Sequence, residues 1–165
     1  MKQIFVLDEN VFIQSHTCEN ISDSEDNFNS LNLIINILDK CHRIGLSSCL
    51  IEKYYEKMKV LEKCKKMTNA VKIWKDFLYR NDKHVFCDSH QKKLPLNIQH
   101  DSHVIEPTMF LSAILVTTDE KLKRRVMGWA NKENHRISVK SPKEAMDFIF
   151  KIANQPQTKN DNSSG

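Results

Sequence analysis

Four acids stand at the edges of apolar runs: Asp8 closes the stretch V-L-D, Glu52 follows C-L-I, Asp101 precedes S-H-V-I, and Asp119 closes V-T-T-D. Taken singly, Asp8, Asp101 and Asp119 read as helix N-caps and Glu52 as a solvated helix residue. Brought to one rim, the set has a different chemistry. Carboxylates within a few ångströms repel and raise one another's pKa, so such a cleft is stable mainly when hard divalent cations neutralise it. A cation held there activates water and stabilises the leaving oxygen of an in-line displacement, with no covalent nucleophile required. His100 and His103 flank Asp101 and offer a competing H-D-x-H transition-metal pattern. No further His or Cys lies at ligand spacing, and a histidine beside a helix start is more often a surface or capping residue.

The elements that must carry these acids follow from hydropathy. Gln3–Leu7 is a short apolar run with β-branched and aromatic content, predicted as a buried strand that delivers Asp8 at its carboxyl end. A polar stretch, His16–Asn27, precedes a helical series Phe28, Leu31, Ile34, Ile35, Leu38 and Cys41 that ends near Gly45. Ile44–Ser47 reads as a second strand. The series from Leu50 through Tyr54, Met58 and Leu61 reads as a helix that places Glu52 and Glu56 one turn apart on one flank. Met67–Leu78 has its own helical stripe, and His84–Cys87 reads as a short extended piece. Asp101 opens a helix, Ile114–Val116 is a strand, and Asp119 starts another helix carrying Leu122, Val126 and Trp129. A short strand at Arg136–Val139 precedes a last helix, for which Ser141, Pro142 and Glu144 supply the cap, first-turn proline and capping-box acid.

Continuous apolar runs alternating with helices predict an α/β fold, a three-layer α/β/α sandwich with a mostly parallel central sheet. Sites in such sheets form beyond the carboxyl ends of the strands, where Asp8 and Asp119 both fall. The 165 residues are read as one domain over residues 1–153 with a disordered polar tail at 154–165. No apolar run approaches the roughly 20 residues of a membrane span, and the N-terminus lacks the pattern of a secretory signal, so a cytoplasmic, membrane-free protein is expected. Five cysteines without a C-x-x-C pair indicate thiols rather than a disulfide framework or thiolate zinc site. Only three glycines are present, Gly45, Gly128 and Gly165, which excludes the dinucleotide fingerprint, the Walker loop and the G-x-S-x-G elbow.

Charge is segregated along the chain. Residues 1–52 carry −5, residues 53–93 carry +7, residues 94–120 carry −4 and residues 121–151 carry +6. Any one basic run reads as a solvated face. Alternating blocks offer more, a polyanion held by the basic segments and a metal among the acids. Lys121, Lys123, Arg124 and Arg125, just after Asp119, are the expected nucleic-acid contacts. Trp74, Trp129 and the tyrosines are read mainly as core residues.

These motifs resemble the PIN-domain family of metal-dependent ribonucleases over about the first 120 residues. The strand ending in D-x-N is matched by Asp8 and Asn10, the helix-borne glutamate by Glu52, the third acid by Asp101, and the T-x-D after a strand by Thr117 and Asp119. Glu56, one turn on, is an alternative to Glu52. Glu9 stands where the family usually has a small residue, and Pro107 falls within a helix that is usually uninterrupted, where it is expected to kink or restart it. The resemblance implies an acidic Mg²⁺ or Mn²⁺ site that cuts single-stranded or structured RNA, with Asn10 and Thr117 or Thr118 orienting carboxylates or water. It also implies either a toxin paired with an antitoxin or an RNA-processing enzyme, with another protein or a second copy in a homodimer as further partners. The alternative is a catalytically silent RNA- or partner-binding module that keeps the fold. A phosphatase or phospho-receiver would need a D-x-D pattern or paired acids that are missing.

Overall fold

Five short apolar segments become strands: β1 (Ile4–Leu7), β2 (Arg43–Leu46), β3 (His84–Phe86), β4 (Ile114–Val116) and β5 (Ser138–Lys140). They form one sheet in the order β3-β2-β1-β4-β5, in a computed structural model that describes residues 2–16, 25–63, 76–77, 79–87 and 94–154. Every neighbouring pair is parallel, with Phe5 opposite both Ile44 and Ile114. The central strand is covered on both sides: Phe5 and Val6 are fully buried, and so are Leu115 and Val116 on β4. Such burial explains why these runs are continuous rather than alternating.

The flanking helices are α1 (Glu9–His16), α2 (Glu25–Asp39), α3 (Ser48–Lys63), α4 (Ser102–Phe110), α5 (Glu120–Lys132) and α6 (Pro142–Ala153). The α/β sandwich expected from the sequence is therefore present. Helix α2 packs against both α1 and α6, and α3 packs against α4. Ser141 starts α6 with a complete capping box: its hydroxyl accepts from the Glu144 backbone N–H at 3.2 Å, and Glu144 accepts from the Ser141 N–H at 2.7 Å. No helix among the described residues is long and apolar enough to cross a membrane.

One helix was not foreseen and two local expectations change. Helix α1 was not legible, because among the described side chains of its two turns only Val11, Phe12 and Ser15 are buried. Gly45 lies inside β2 instead of closing α2, which stops at Asp39. A Cβ at Gly45 would meet Val6 Cγ2 at 2.9 Å and Leu111 Cδ1 at 2.7 Å, so glycine there lets β1 and the end of α4 close on the strand. Helix α4 runs through Pro107 without a break, preceded by a 3-10 turn at Gln99–Asp101. Most of the helix expected at Met67–Leu78, and the tail beyond Asn154, lie outside the described residues.

One buried charge ties two elements together. The Lys83 ammonium, on a residue 5% exposed, donates to the carbonyls of Ile37 and Lys40, the unsatisfied end of α2.

Candidate active site

The crevice between β1 and β4 is where the strand order reverses, because the chain runs from β1 outward to β2 and β3 before β4 enters on the other side. In open parallel sheets, ligand sites form at this point, beyond the carboxyl ends of the strands. Asp8 is the first residue past β1. Its N–H donates to Val116 O at 2.9 Å, which extends the ladder by one rung, and its carbonyl accepts from Val11 N at 3.0 Å, which starts α1. The strand-to-helix change thus presents the Asp8 carboxyl at the rim.

Thr117 occupies the equivalent place after β4. Its hydroxyl donates to Asp8 Oδ2 at 2.5 Å and accepts from the Asp119 N–H at 3.0 Å. Both residues are buried, Asp8 at 4% and Thr117 at 1% exposure. This one side chain therefore locks the two halves of the crevice together, as a residue orienting a carboxylate would. Asn10 contributes through its backbone N–H, which bonds the Asp8 carboxylate, while its side chain is exposed. Thr118 is only partly buried.

Electrostatically the centre is a coupled group. Burial pushes the Asp8 carboxyl up to about 7, assisted by the hydrogen bond and charge of Glu9 and opposed by Thr117. Burial works against Glu9 ionising as well, yet hydrogen bonds from His103 and Asp8 hold it at about 2. His103 Nε2 lies 2.8 Å from Glu9 Oε2. Burial disfavours the imidazolium, and Glu9 more than offsets this, raising the His103 pKa. Near neutrality the arrangement is a proton shared at Asp8 beside an ionised Glu9 paired with His103. The expectation that His103 is a surface or capping residue is thus corrected, while His100 is exposed. The sequence carried the signal: Glu9 directly follows the strand-end acid, and His103 lies two residues beyond Asp101.

Asp101 sits at the N-cap position of α4 but makes no side-chain cap bond. Its Oδ2 pairs with Arg125 Nη2 at 3.2 Å, and Arg125 Nη1 donates to Asn97 O at the same distance. Burial raises the Asp101 pKa against the pull of Arg125 and His103, and the charges of Glu9 and Asp119 add to the rise. Asp8, Glu9, Asp101 and Asp119 thus share one electrostatic neighbourhood. Asp119 caps α5: its Oδ1 accepts from Lys121 N at 2.8 Å and Leu122 N at 3.0 Å, leaving Oδ2 outside the cap.

Glu52 and Glu56 are both exposed on α3. Glu56 pairs with Lys53 at 3.1 Å, and Lys53 also feels the charges of Glu9 and Glu52, so α3 meets the acidic group through a lysine. Of the expected nucleic-acid contacts, Lys123 is held by Glu144 at 2.7 Å and Arg125 by Asp101, while Lys121 and Arg124 are exposed. Beneath the rim, the buried Tyr54 hydroxyl donates to Leu7 O.

The donor atoms are of the kind a hard divalent cation takes, carboxylate and hydroxyl oxygens, and a cation would favour the ionised form of Asp8 that burial disfavours. Among the described residues, however, no three His, Cys, Asp or Glu side chains form a ready metal cage. Neutralising charge would have to draw the acids closer.

No protein-family model matches the chain, and no curated protein matches it. Among solved structures it is similar to VapBC2 from Rickettsia felis bound to a DNA fragment from their promoter, at 14% identity and a TM-score of 0.41, over 84% of this chain and 98% of that one.

Proposed function

We propose that the protein is a metal-dependent endoribonuclease, hydrolysing RNA phosphodiester bonds at the β1/β4 crevice. The observation that carries this reading is the Asp8–Thr117–Asp119 linkage: a buried strand-end carboxyl anchored across the crevice, beside Glu9, whose charge and that of Asp119 both act on Asp101. Asp8, Asp101 and Asp119 are the proposed ligands of Mg²⁺ or Mn²⁺, with Glu52, or Glu56 in its place, closing the site from α3. The bound cation would supply water activation and charge neutralisation for in-line displacement. Thr117 fixes the aim of Asp8, the ionised Glu9 accepts a hydrogen bond from Asp8, and His103 keeps Glu9 in place. Arg125, now on Asp101, is placed to turn to an incoming phosphate. An antitoxin or another protein, or a second copy of the chain, would be the protein partner.

Two observations favour the silent-module reading instead: Asp101 is already paired with Arg125, and one oxygen of Asp119 is committed to a helix cap. Purified protein incubated with single-stranded RNA decides between them. Cleavage in Mg²⁺ or Mn²⁺ that stops in EDTA and falls to background in Asp8→Asn is expected. Cleavage that persists in excess EDTA would sink the metal mechanism, and RNA binding without cleavage would leave the silent module.

A further inference from the structure

Beside Arg125, on the surface of α5, lies a cleft of about 380 Å³ walled on its other side by the segment containing Pro95 and Asn97. Three basic side chains line it, Arg124, Arg125 and Lys132, against a single acid, Glu133. Neither Arg124 nor Lys132 enters an ion pair among the described residues, unlike Lys123, whose ammonium is spent on Glu144. Trp129, partly buried against the core, lines the cleft, and His135 lies 4.9 Å from it, ring centre to ring centre. Gly128 completes the surface. A Cβ there would touch nothing within 4 Å, so glycine is not required by packing and leaves the helix bare where the cleft opens.

We propose that this cleft binds one nucleotide of single-stranded RNA next to the reacting phosphodiester, with Arg124 and Lys132 taking its phosphate and Trp129 its base. The inference rests on the nuclease reading and extends it to the substrate. Cations beside a partly buried indole that lines the same cleft match a phosphate joined to a planar base, and every base offers a face to stack, so the site would tolerate any sequence. A paired base keeps its faces inside the duplex, so single strands are favoured. Arg125 links the two places, since the same guanidinium that lines the cleft grips Asp101.

The test uses the full chain carrying Trp74→Phe, which leaves Trp129 as the sole tryptophan, titrated with a short single-stranded oligouridylate in EDTA so that no cleavage intervenes. Quenching of Trp129 emission that saturates is expected. Gly128→Leu should weaken this binding about tenfold by filling the space above the helix. It should also raise the melting temperature, because glycine is a poor helix former. Lys132→Ala should lower the slope of log affinity against log salt by about one, and Lys151→Ala, at an exposed position of α6, should not. Unchanged emission, unaltered affinity in Gly128→Leu, or equally tight binding of duplex RNA would each overturn the proposal. Quenching that persists in a protein unable to cleave in Mn²⁺ would support the cleft and sink the nuclease reading. Cleavage indifferent to Gly128→Leu and Lys132→Ala would do the reverse.

Discussion

Asp8→Asn separates a metal ligand from a structural cap, and its effect can be worked from the site. Asn preserves the shape: its carbonyl oxygen can accept the Thr117 hydroxyl, and its amide can donate to Glu9 as the Asp8 proton does. Only the titratable charge is lost. The folded-state pKa of Asp8 is raised from 3.8 to about 7, so the folded protein retains a proton that the unfolded chain releases. For a carboxyl shifted in this direction, stability is full below about pH 4 and is lost as pH rises towards 7. By pH 8 the loss amounts to about 4 kcal/mol, at 1.36 kcal/mol per pKa unit. Asp8→Asn avoids that loss. In EDTA at pH 8 the variant should therefore melt on the order of 10 °C above the wild type, and the difference should vanish near pH 4. Adding Mn²⁺ should reverse the order of benefit: the wild type gains RT ln(1 + [M]/Kd), about 2.7 kcal/mol at a hundredfold excess over Kd, and the variant gains less. Thermal melts by circular dichroism across this pH range, with and without Mn²⁺, make the measurement. A variant no more stable than the wild type at pH 8 in EDTA would refute the claim that burial holds a strained charge at Asp8. Equal Mn²⁺ shifts in the two proteins would remove Asp8 from the ligand set.

Two further outcomes follow from the framework around the site. Lys83→Met should cost about 1–3 kcal/mol in urea denaturation, because the apolar stem still fits while the carbonyls of Ile37 and Lys40 lose their donor; a change under about 0.5 kcal/mol would show that water replaces it. Asp119→Ala should cost about 0.5–2 kcal/mol with or without Mn²⁺ through loss of the α5 cap, whereas Asp119→Asn, a competent cap, should keep apo stability and lose only the metal-induced gain. Equal melting of the Ala and Asn variants would argue against the cap.

The layered α/β architecture was legible because a strand buried on both faces must be apolar at every position, as in I-F-V-L and I-L-V, and few other uses of a chain tolerate that. Local chemistry was legible for the same kind of reason: the S-P-K-E start of α6 specifies its own cap within four residues, and Asp8 and Asp119 are placed at strand ends by the runs before them. The pairing of β3 with β2 was not, since a three-residue strand is recognised only by the partner that accepts its hydrogen bonds. Helix α1 escaped for want of length, its burial being supplied by α2 from a segment the local pattern does not see. Most of what distinguishes the site depends on long-range neighbours. Thr117 reaches Asp8 across 109 positions, and His103 reaches Glu9 across 94. A residue's type announces that it can ionise; its burial and the charges folded against it decide whether it does. Sequence alone set Asp8 and Asp119 just past the strands β1 and β4, while tertiary structure decided that burial raises the Asp8 pKa, that His103 and Asp8 hold Glu9 ionised, and that Lys123 is spent on Glu144 while Lys132 lines the cleft.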